Sequence, residues 1–162
     1  MNPFAEHRKI DAHTHIGNFG SPFNVNFNTD LLLKQMEEFN IEKTILCPAA
    51  YTLNEEVNEA YKQYPDKIIP LAWINANLGK TAYADAEHYL KDEGFAGLKM
   101  QPLFDGFTAD SPAVDPIMEI AGKYKKPVFI HCGHPPFSLP WQIGLLAERH
   151  PDVPIVMIHM GH

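Results

Sequence analysis

Apolar positions along the chain alternate between two periods. From Ile10 to Gly17 (I-D-A-H-T-H-I-G) the pattern suits a strand, in which successive side chains face opposite ways. Asn18 to Asn28 is rich in Gly, Asn and Phe, and is expected to be an irregular but ordered lid or a surface loop pinned by Phe19, Phe23 and Phe27. Thr29 or Asp30 can cap a helix carrying Leu32, Leu33, Met36 and Phe39 at helical spacing, with Asn40 as its stop. Lys43 to Pro48 is a short, β-branched strand, and after the loop Ala49 to Leu53 a second helix starts at Asn54 with Val57, Ala60, Tyr61 and Tyr64 on one side.

Lys67 to Ile74 is the third strand, where Pro70 predicts a bulge or an edge position because proline donates no ladder hydrogen bond. Thr81 should cap a third helix that buries Ala82, Ala86, Tyr89 and Leu90 and leaves His88 at the surface or in packing. Phe95 to Met100 is the fourth strand. Beyond the loop Gln101 to Ser111, Ala113 to Tyr124 is helical, with Val114, Ile117, Met118, Ile120 and Ala121 as core candidates. Pro127 to His131 is the fifth strand. A proline-stiffened segment, Cys132 to Leu139, then leads to a helix opened by Pro140 with Trp141, Leu145 and Leu146 inward, and Pro154 to His159 is the sixth strand. Strands and helices that alternate every roughly 25 to 33 residues predict right-handed β-α-β units around a parallel sheet, an α/β fold in one domain over residues 1–162.

Composition narrows the classes of function. With 162 residues, 45% of them hydrophobic, the chain can fill a sizeable core. A formal net charge of −7 with no run of Lys or Arg argues against a nucleic-acid partner. No apolar run approaches the roughly 18 residues of a membrane span, and the opening residues lack the apolar core of a secretion signal, so no membrane contact and a cytoplasmic location are expected. The two cysteines, Cys47 and Cys132, lack metal-type spacing and read as buried small hydrophobes. A nucleophilic Cys132 beside His131 is the competing reading. No glycine-rich phosphate loop follows any strand, which removes the usual nucleotide-binding reading of a doubly wound sheet.

The candidate chemistry lies at strand ends. His13 and His15, two apart on one strand, aim their imidazoles the same way, as a metal pair does and as a polar edge strand also does. Asp11 precedes them, and H-C-G at His131 and H-M-G at His159 follow two other strands. Lys99 sits near the end of the fourth strand, facing either a pocket or the exposed rim. His134 either touches substrate or stands exposed, with exposure favoured. In a β/α barrel the C-terminal strand ends converge on one site, and His13, His15, Lys99, His131 and His159 all occupy such ends.

The ordered set D-A-H-T-H, G-L-K-M-Q-P, P-V-F-I-H-C-G and I-V-M-I-H-M-G resembles the amidohydrolase superfamily, in its amidohydrolase-related branch. That branch also holds decarboxylases similar to aminocarboxymuconate-semialdehyde decarboxylase. The resemblance implies a metal-dependent hydrolase-type TIM barrel with His13, His15 and His131 as ligands of a divalent metal, zinc by ligand type. It makes His159 the histidine that binds or activates the reacting group, and matches Lys99 to a strand-four lysine that some members carboxylate. Phe19, in the aromatic first loop, and His134 are then candidate substrate contacts.

Family members also supply an aspartate after strand eight, and a barrel of this type takes about 250 residues, with 200 near the lower limit. The 162 residues are therefore expected to be a barrel truncated after strand six, its open edges covered by a missing C-terminal segment or by a second copy in a homo-oligomer. The expected activity is a metal-activated water attacking a carbonyl or ester carbon of a small, partly apolar substrate. Non-oxidative decarboxylation of an aromatic or unsaturated acid is the alternative. A third possibility is a catalytically inactive metal-binding fragment that lacks the strand-eight aspartate.

Overall fold

The computed structural model describes residues 7–161, whose contacts group into two compact units, Met1–Leu71 and Ala72–His162. In the first unit β1 (Lys9–Phe19) turns back into β2 (Val25–Phe27), which pairs with it antiparallel. The stretch expected to be an irregular lid is therefore a hairpin. The alternation in N-V-N-F-N is the period of a strand, and it outweighs the glycine and asparagine content. Phe23, at the turn, is 61% exposed and pins nothing, while Phe19 and Phe27 are half-buried.

Helix α1 (Thr29–Glu38) starts one residue earlier than its predicted caps, because the Asn28 side chain accepts the N–H of Leu31 at 3.0 Å. It buries Leu32 and Met36 but leaves Phe39 exposed, and Asn40 ends it in a left-handed conformation (φ 53°). Strand β3 (Ile41–Pro48) runs parallel to β1, and β4 (Ile68–Trp73) runs parallel to β3, with α2 (Asn54–Gln63) between them. The bulge expected at Pro70 is absent from this ladder, where Pro70 pairs in register with Leu46. Thr44 donates its N–H to the Lys67 carbonyl (2.9 Å), so alternation turns position 70 away from β3 and the missing proline N–H breaks no β3–β4 bond.

The second unit takes up the end of β4 and continues with α3 (Lys80–Lys91), which buries Ala82, Ala86, Tyr89 and Leu90 as their spacing predicts. Its start is Gly79 (φ 53°), with no side-chain cap from Thr81. Strands β5 (Gly97–Met100), β6 (Val128–His131) and β7 (Ile155–Ile158) pair in parallel. A short helix, α4 (Pro102–Asp105), occupies the loop after β5, and α5 (Asp115–Lys123) packs Ile117, Met118 and Ala121 into the core.

Helix α6 (Pro140–Arg149) is rotated from its expected orientation. Trp141 is 59% and Leu145 42% exposed, and Gln142, Ile143 and Leu146 face inward. Hydrogen bonds decide the rotation. The Gln142 side chain accepts the Leu139 N–H (2.8 Å) and donates to the Pro136 carbonyl (2.9 Å) and to Asp110 (3.2 Å), which needs it on the inner side. Six strands alternating with helices thus form the α/β architecture the sequence predicts, with β2 as the addition. Among the described residues no helix is long and apolar enough to cross a membrane.

Candidate functional site

Each unit gathers one set of the predicted residues. In the first, a ladder irregularity between Asp11 and Thr14 interrupts the pairing of β1 with β3 where His13 lies, and the Asp11 carboxylate accepts the His13 backbone N–H at 3.1 Å. Both imidazoles stay half-buried, with ring centroids 4.6 Å apart and an interplanar angle of 81°. The Nε2 atoms of His13 and His15 are 3.0 Å apart.

His15 Nδ1 lies 2.8 Å from the carbonyl oxygen of Pro48, at the end of β3. A carbonyl only accepts, so His15 carries its proton on Nδ1 and presents a lone pair at Nε2, the tautomer that metal-binding histidines use. Two arrangements satisfy the facing nitrogens. Either His13 donates from Nε2, or a cation takes both lone pairs. The donor set therefore fits a divalent metal. Phe19 packs edge-on against His15, with ring centroids 5.7 Å apart, so it lines this site.

Two neighbours were not predicted. Cys47, the β3 partner of His15 in register, brings its sulfur to 3.8 Å from His13 Nδ1. Gly17 sits at φ 119°, and a Cβ there would meet the Ala49 Cβ and the Leu53 Cδ1 at 3.0 Å, so only glycine fits the exit from the histidine segment.

In the second unit His131 ends β6 and lies 3.0 Å, through Nε2, from His134 Nδ1. His134 is half-buried, a correction to the expected exposure, because this contact holds it against the strand end. The His159 ring meets that of His131 edge-on, with centroids 4.8 Å apart. It sits one residue past β7, exposed, in a left-handed turn that it shares with Met160. Lys99 on β5 is 1% exposed, which rules out the rim position.

The charge of Lys99 acts on Asp105, the last residue of α4, which sequence reasoning left in a loop. Burial pushes the Asp105 carboxyl up to about 6, against the opposing pull of the Trp73 indole, which donates to it at 2.7 Å, and of Lys99. Cys132 is buried, which raises its thiol pKa and makes it a poor nucleophile.

The amidohydrolase family model matches residues 10–162. The chain belongs to the amidohydrolase family. None of the curated proteins matches it in sequence. Among solved structures it is similar to a TIM-barrel protein of Bordetella bronchiseptica, at 19% identity and a TM-score of 0.74, covering 93% of this chain and 66% of that one.

It is also similar to a 5-carboxyvanillate decarboxylase of Novosphingobium aromaticivorans solved with manganese and 4-hydroxy-3-methoxy-5-nitrobenzoic acid (15% identity, TM-score 0.77, 97% and 66% covered). A 4-oxalomesaconate hydratase of Rhodopseudomonas palustris is a third (17%, 0.64, 92% and 62%). At these identities the likeness concerns the fold, which is that of a TIM barrel. This amidohydrolase chain spans about two thirds of the length of such structures. Metal dependence is a family property, and manganese is the ion in the decarboxylase.

Proposed function

We propose that this amidohydrolase chain carries the metal-binding part of a metal-dependent hydrolase whose small, partly apolar substrate has a carbonyl or ester carbon. The observation that carries the reading is the imidazole pair whose orientation the Pro48 carbonyl fixes (2.8 Å to His15 Nδ1). In this proposal His13 and His15 are ligands, and His131 joins them on the strength of the family motif alone. When bound, a divalent cation supplies Lewis acidity, lowering the pKa of water to about 7 and polarising a carbonyl oxygen.

The remaining chemistry falls to the side chains. His159, exposed beside His131, offers an imidazole that can take up a proton or donate to a developing oxyanion. Lys99, buried on β5, adds a positive charge that favours an anionic transition state. Phe19 supplies an apolar edge for substrate, and His134 orients His131 or touches the substrate.

Decarboxylation of an aromatic acid is the second reading, favoured by the fold shared with a decarboxylase that holds a nitrobenzoic acid. Two measurements test the proposal. Metal analysis of the purified chain should show an ion that His13→Ala removes, and unchanged content in the variant overturns the metal site. Esters, lactones and aromatic acids offered to the metal-loaded chain should give acid release without carbon dioxide, whereas carbon dioxide release supports the decarboxylase instead.

A further inference from the structure

We propose that Cys47 is a ligand of the same metal, so that the first unit holds a thiophilic divalent cation, zinc in preference to manganese, through His13, His15 and the Cys47 sulfur. The inference rests on the reading of His13 and His15 as ligands and extends it to the identity of the ion, with the Cys47 sulfur as the third protein ligand in place of His131, so that the fourth tetrahedral position stays open to water.

Three observations carry it. Cys47 and His15 are register partners on parallel strands, and such partners project from the same sheet face. The cysteine is 0% exposed, so its sulfur is directed into the protein, 3.8 Å from His13 Nδ1. One donor atom from each of His13, His15 and Cys47 lies within 4.8 Å of the other two.

Zinc bound tetrahedrally, with bonds of about 2.0–2.1 Å to nitrogen and 2.3 Å to sulfur, holds its donors roughly 3.3–3.6 Å apart. His15 faces the Nε2 of His13 whereas the sulfur lies beside its Nδ1, and one imidazole gives one nitrogen to an ion, so rotation of the His13 ring to turn a single nitrogen toward both partners, with a closure of about 1 Å, completes the site. The next residue, Pro48, is the one whose carbonyl orients His15, so β3 places the sulfur and fixes the imidazole within two residues. A soft sulfur donor selects zinc over the harder manganese. On binding, the Cys47 thiol gives up its proton to solvent and the sulfur forms the metal bond, while the neutral imidazoles release none.

X-ray absorption on the full chain loaded with one equivalent of zinc reads the donor set directly. One sulfur at about 2.3 Å is expected, kept in Cys132→Ser and lost in Cys47→Ser. A shell without sulfur, or a sulfur signal that follows Cys132, overturns the assignment. Calorimetric titration of Cys47→Ser should show zinc affinity reduced about 100-fold and one proton fewer released per ion, with manganese binding little changed. Equal zinc affinity also overturns it.

If Cys47→Ser does not fold, the spectra of wild type and Cys132→Ser decide alone. The two readings fail differently. Metal lost from His13→Ala/His15→Ala with no sulfur in the shell rejects Cys47 only, whereas metal retained by that double variant rejects the histidine site itself.

Discussion

The two units hold their histidines by different means. In the first, main chain does the holding: the Pro48 carbonyl fixes His15, strand backbone carries both imidazoles, and the Asp11 carboxylate grips the His13 N–H. In the second, side chains hold one another: His131 meets His134 and His159, and Asp105 leans on Trp73. Backbone placement gives a preorganised donor pair, as metal binding needs. A network of side chains gives groups whose protonation and position respond to their surroundings, as proton transfer needs.

The largest expected effect separates the units by metal binding. His15→Ala should abolish retention of a divalent ion through dialysis, whereas His134→Ala should leave the ion bound with its affinity lowered no more than about 100-fold, because His134 is not itself a ligand. Equal losses in both would erase the contrast. Next comes the support of the second unit. Gln142→Ala leaves the Leu139 N–H and the Pro136 carbonyl without their partner and should lower unfolding free energy by about 1–3 kcal/mol in urea titration, a loss that Gln142→Glu does not fully restore because it lacks the donor.

A smaller effect is a pH dependence. The Asp105 carboxyl, raised to about 6 in the folded state, binds its proton more tightly than in the unfolded chain. Its contribution to stability is therefore full below about pH 4 and is lost as pH rises through about 6. Asp105→Asn should flatten that slope, worth about 1 kcal/mol once partial exposure is discounted. In wild type the Trp73 indole, which donates to Asp105 at 2.7 Å, should report the titration as a fluorescence change near pH 6 that the variant lacks. The smallest is Trp141→Ser, which should change stability by no more than about 0.5 kcal/mol because the ring is 59% exposed.

What the sequence revealed follows the same division. The H-x-H pair, the alternation of strands and helices, the inner face of α3 and, apart from Phe39, that of α1 are local patterns of period two or 3.6, and each is legible residue by residue. The proximity of Cys47 depends on the register between β1 and β3, which no local pattern encodes. The inward turn of Gln142 was hidden because hydrogen bonds to Asp110 and Pro136 outweigh the hydrophobicity of Trp141. Asp105 was missed for a related reason: the four-residue helix that presents it to Trp73 is too short to show a period. The lid expected of residues 18–28 shows the reverse error, since glycine and asparagine content concealed a strand alternation that was present.

Both proposals require that His13 and His15 jointly grip a divalent cation. Mass-spectrometric metal analysis of the wild-type chain and of His13→Ala/His15→Ala, each loaded with zinc and dialysed, tests it most directly. About one ion per wild-type chain and none in the double variant is the predicted result; the same metal content in both would contradict it.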